Sequence, residues 1–108
     1  MSSIQYQKLV RDKIPAIIRA DKQEPITRVL NEKEYRQKLL EKLVEEANEL
    51  LESNGDLSER ADIAEVLKVL DHVLGFDSTM IEEARAAKAE KRGGFEQRIF
   101  LERADIRD

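Results

Sequence analysis

The chain has no cysteine, no tryptophan and a single histidine. Without cysteine there is no disulfide, no thiolate zinc site and no thiol nucleophile. The lone His72 falls on the polar side of a helical pattern, where a solvated surface role is expected. Aromatics make up only 5% of the chain, which leaves few aromatic anchors and suits helices. No apolar run is long enough to span a membrane. The opening Met1-Ser-Ser-Ile-Gln-Tyr lacks the apolar core of a signal peptide. A soluble, cytoplasmic protein is expected, with no membrane partner. The net charge of −4 does not favour a nucleic acid polymer as partner.

What the chain does have is charge and periodicity. Charged residues are 39% and hydrophobic residues 41%, the latter in regular runs that argue against disorder. The 108 residues suffice for one domain with a modest core, residues 1–108. Residues 1–9 read as extended or loose. Asp12 is placed to cap a helix whose first turn holds Pro15, where a missing N–H costs little. Ile26 to Leu30 reads as a short strand. Asn31-Glu-Lys-Glu34 is a capping box that opens a helix from about Glu32 to Glu52, ended by Ser53-Asn-Gly55. A second long helix runs from about Leu57 to Leu74 and stops at Gly75. Thr79-Met-Ile-Glu82 is a further capping box, ahead of a helix from about Met80 to Lys91. Alternation from Phe95 to Leu101 reads as a strand able to pair with residues 26–30 as a two-stranded ribbon. The expected fold class is all-α with a minor β-ribbon.

The two long helices carry carboxylates in awkward places. At about 100° per residue, Leu39, Leu43, Ala47, Leu50 and Leu51 form one apolar stripe. Glu46 borders it, Glu49 lies a step further round, and Glu45 points most directly away. On the following helix Glu59 and Asp62 fall within the apolar face of Ile63, Val66, Leu67, Val69, Leu70, Val73 and Leu74. A carboxylate directed at a core needs a partner, a proton or a metal. No Lys or Arg lies on that apolar face. A hard cation with oxygen ligands, Mg²⁺ above all, is the simplest solution for Glu46, Glu49, Glu59 and Asp62. A blander reading is equally open. Asp56-Leu-Ser-Glu59 would be a capping box, and Glu45, Glu46 and Glu49 a solvated face paired with Lys42.

Two basic segments flank these helices. Arg11 and Lys13 cluster at the first helix start. Arg85, Lys88 and Arg92 form a stripe, with Lys91 beside it, that runs into Gly93-Gly94. Glycines after basic residues let backbone N–H groups approach phosphate, and Lys and Arg supply the charge. The same residues are also ordinary at a helix C-terminus.

Glu45-Glu-x-x-Glu49 followed by Glu59-x-x-Asp62 resembles the metal motif of the MazG-like, all-α nucleoside triphosphate pyrophosphohydrolases. That superfamily includes phosphoribosyl-ATP pyrophosphohydrolase and dimeric dUTPases. Lys8-Leu-Val-Arg-Asp-Lys-Ile-Pro15 and Lys91-Arg-Gly-Gly-Phe95 look like its phosphoribosyl-ATP-pyrophosphohydrolase-like, house-cleaning branch. The resemblance covers about residues 8 to 101. It implies a MazG-like helical bundle assembled as a homodimer or tetramer, with Mg²⁺, or Mn²⁺ in its place, on Glu46, Glu49, Glu59 and Asp62. It implies hydrolysis of a nucleoside triphosphate to a monophosphate and pyrophosphate. Glu45 or Glu46 would assist as base, and Arg11, Lys13, Lys88, Lys91 and Arg92 would bind substrate phosphate. The alternatives are phosphoribosyl-ATP hydrolysis in histidine synthesis and a catalytically silent helical binding or regulatory module. Only Leu50 to Ser58 separates the acidic halves, which leaves a tight turn and no large base-enclosing loop.

Overall fold

Local signals set the ends of the longest helix. The Asn31 side chain accepts from the Glu34 N–H at 2.9 Å while the Glu34 carboxylate accepts from the Asn31 N–H at 3.4 Å, so the expected capping box forms. Arg28 grips the same carboxylate with both terminal guanidinium nitrogens, at 3.2 and 2.9 Å. The computed structural model describes residues 2–107. They hold α1 (Ile14–Ala20), α2 (Glu32–Glu52), α3 (Leu57–Leu74) and α4 (Ser78–Arg92). These residues cluster into two compact units, the first ending at Gly75 and the second beginning at Phe76.

In the first unit α2 and α3 pack on each other. The turn between them is closed by short-range bonds. Ser53 Oγ donates to the Leu50 carbonyl at 2.9 Å and accepts from the Asp56 N–H at 3.1 Å. Asn54 (φ 57°) and Gly55 (φ 96°) take the left-handed conformations that reverse the chain. Leu39 of α2 and Leu70 of α3 are the buried apolar residues of this pair.

Several expectations change. Lys13, not Asp12, is the N-cap of α1, and no side chain bonds to that cap. Asp56 caps α3 without a side-chain hydrogen bond, so no capping box ties up Glu59. Asp77, not Thr79, caps α4, by accepting from the Met80 N–H at 2.8 Å. The stripe on α2 is also rotated: Leu39 is buried, Leu43 and Leu50 are half-buried, and Ala47 and Leu51 are exposed. The two-stranded ribbon is not formed, since no strand occurs among the described residues. Ile26 and Val29 are 92% and 98% exposed, and Phe95 is 98% exposed, so these alternating segments have no packed face to order them.

In the second unit α4 ends at Gly93, whose φ of 82° falls in the region that favours glycine. Its side chains are exposed apart from a half-buried Ala89.

Candidate metal centre

The i, i+3 spacing on two packed helices brings four carboxylates to one seam. One oxygen from each of Glu46, Glu49, Glu59 and Asp62 lies within 4.8 Å of the others. Opposite oxygens around Mg²⁺ stand roughly 4.0–4.2 Å apart and around Ca²⁺ roughly 4.6–5.2 Å. The cluster therefore admits a hard divalent cation with little inward movement. Glu46 is buried, and the other three are half-buried.

Glu46 is the unusual member. It is 6% exposed, and its Oε2 has no hydrogen-bond partner. A buried, unpaired carboxylate oxygen is costly. Burial pushes the Glu46 carboxyl above its ordinary value, and the neighbouring Glu49 carboxylate pushes the same way. The Lys42 ammonium, 3.3 Å from Glu46 Oε1, opposes the shift without cancelling it.

Basic side chains border the seam. Arg11 Nη2 donates to Asp62 Oδ1 at 2.7 Å, across 51 residues of sequence. Lys8 and Lys42 each approach Glu45 Oε1 at 3.4 Å. Glu45 thus stands beside the cluster, tethered by two lysines, and is not one of the four converging carboxylates. Glu45, Glu46, Glu49, Glu59 and Asp62 face Lys8, Arg11 and Lys42, which leaves about two negative charges unmatched when all five are ionised. A single divalent ion has the charge to match them.

Of the residues expected to contact phosphate, Arg11 alone reaches this cluster through a defined contact. Lys13 lies exposed at the start of α1 in the first unit. Lys88, Lys91 and Arg92 lie exposed on the last turns of α4 in the second unit. Among the described residues none of these four enters an ion pair, whereas Arg85 of the same stripe is taken up by Glu82. Lys8 was not singled out from the sequence. Its contact with Glu45 spans 37 residues, and no local pattern announces it.

Comparison with known proteins adds no relative: no family model, curated protein or solved structure matches the chain.

Proposed function

We propose that the protein is a divalent-metal-dependent nucleotide pyrophosphohydrolase of MazG-like type. On this reading Mg²⁺, or Mn²⁺, is held by Glu46, Glu49, Glu59 and Asp62. The observation that carries it is the buried, unpartnered Glu46 Oε2 within a four-carboxylate cluster. A bound cation removes that cost, and oxygen-only ligands select a hard ion over zinc. The bound ion would polarise phosphate oxygens and lower the pKa of a coordinated water.

The chain's own residues then divide the remaining work. Glu46 is committed to the ligand cluster. Glu45 stands at its edge, held by Lys8 and Lys42, and we assign it to receive the proton from the attacking water. Arg11, Lys8 and Lys42 are the cations within reach of the seam and would offset negative charge on substrate phosphates. A phosphate-binding role for Lys13, Lys88, Lys91 and Arg92 rests on their charge and exposure. The substrate would be a nucleoside triphosphate, with phosphoribosyl-ATP as the alternative and a silent helical binding module as the rival class.

Incubation with Mg²⁺ and a panel of nucleotides, followed by assays for pyrophosphate and orthophosphate, tests the reading. Pyrophosphate with a nucleoside monophosphate is expected, and none in excess chelator. Orthophosphate as the only inorganic product, or full activity in chelator, overturns it.

A further inference from the structure

We infer that Arg11 is the exchangeable counter-cation of the acidic cluster and that a divalent ion displaces it from Asp62. The inference rests on the metal-centre reading above and adds a regulation of that site.

Three observations carry it. Arg11 arrives from outside both long helices and donates to Asp62 Oδ1 at 2.7 Å, a short charge-assisted bond. Asp62 supplies one of the four converging oxygens. The contact is half open to solvent, with side-chain exposures of 56% for Arg11 and 33% for Asp62. A guanidinium on Asp62 lowers the repulsion among the carboxylates in the absence of a metal. It also draws on the same negative charge that a divalent ion needs. A contact so exposed is weak enough to be exchanged. Lys42 differs: it sits on α2 itself, its side chain is 16% exposed, and it meets Glu46 through i, i+4 geometry. Its own helix therefore holds it beside the cluster.

Exchange has a reciprocal consequence. Whatever factor Arg11 costs in metal affinity, the metal costs in the Arg11–Asp62 contact. Metal loading would therefore release a guanidinium at the edge of the site. Arg11 would become available to phosphate only once the ion is in place, which gives an order to binding: metal first, anion second.

The test uses Mn²⁺ alone as probe, with wild-type protein and Arg11→Gln, which keeps a long polar side chain at an exposed position. Mn²⁺ affinity is read by electron paramagnetic resonance, and the wild-type Arg11 guanidinium by nitrogen-15 NMR with diamagnetic Mg²⁺. Arg11→Gln is expected to bind Mn²⁺ about 1.5- to 5-fold more tightly, the worth of one exposed ion pair. The Arg11 signals, slowed in exchange with water by the Asp62 contact in chelator, are expected to lose that protection on adding Mg²⁺. Equal or weaker Mn²⁺ binding by Arg11→Gln, with the wild type binding normally, overturns the exchange and leaves the metal centre standing. No Mn²⁺ binding by either protein overturns the metal centre and the exchange with it.

Discussion

A carboxylate oxygen shut away from water without a hydrogen bond destabilises a fold, and Glu46 Oε2 is such an atom. Its direction of titration follows. The Glu46 carboxyl lies above its ordinary value of 4.5 in the folded chain, chiefly through burial. The folded state then holds the proton to higher pH than the unfolded state does. This group's contribution to metal-free stability is therefore favourable at pH below about 4.5 and is lost as pH rises through the raised value. Glu46→Gln removes the charge, keeps the shape and abolishes that slope. In chelator at neutral pH the variant is expected to melt at or above the wild type. It is also expected to gain little from Mg²⁺, whereas the wild type is expected to be stabilised by linkage. Thermal melts of both proteins from pH 4 to 8, with and without Mg²⁺, check it. A variant that melts well below wild type in chelator would make Glu46 a structural acceptor. Much of this site was legible in the sequence, because i, i+3 spacing on two helices fixes which carboxylates share a seam. The rotation of α2 was not. Its apolar residues are broad enough to admit two packing faces, and only the contact with α3 selects the one on which Glu46, not Ala47, is buried. The Arg11–Asp62 and Lys8–Glu45 contacts were also hidden, since no local rule links residues 51 and 37 positions apart.

At the scale of the element, the long helices were legible to their ends because their stops are chemical and local. Asn31 and Glu34 cap α2, while Gly55 and Gly75 take left-handed backbone after α2 and α3. Strand assignments at residues 26–30 and 95–101 failed for the opposite reason: a strand needs a partner, and alternation alone supplies none. The α2 start is strong enough to test by itself. Asn31→Ala removes one half of the box and is expected to destabilise the first unit by about 1 kcal/mol. The other half depends on pH. The Arg28 guanidinium, followed by the Asn31 N–H, holds the Glu34 carboxyl below its ordinary 4.5. That contribution is present above about 4.5 and is lost as pH falls through the lowered value. Helicity followed by circular dichroism should show an acid-side loss that Glu34→Gln removes. An unchanged acid limb in that variant would assign the loss to other carboxylates.

At the scale of the whole molecule, pairing covers only one side of each long helix. Along α2, Leu40, Val44 and Leu51 are 37%, 61% and 78% exposed, and Ala47 between them is exposed too. Their 4-3-4 spacing is the pattern of a helix seam that a second helix fills. At roughly 1.5–3 kcal/mol for each large apolar side chain buried, covering them would stabilise the fold substantially. The partner proposed for this seam is a second copy of the chain, which offers the same stripe to itself across a two-fold axis. The wild type is expected to scatter light as a multiple of its 12.5 kDa chain mass, and to melt at a temperature that rises with protein concentration. Val44→Glu places a charge in the middle of the seam. It is expected to return the mass to 12.5 kDa and to remove the concentration dependence. Val44 does not belong to the acidic cluster, so a monomeric variant that still binds Mn²⁺ would separate assembly from ligation. A wild type that stays at 12.5 kDa, with a melting temperature independent of concentration, would leave the α2 stripe to some other partner.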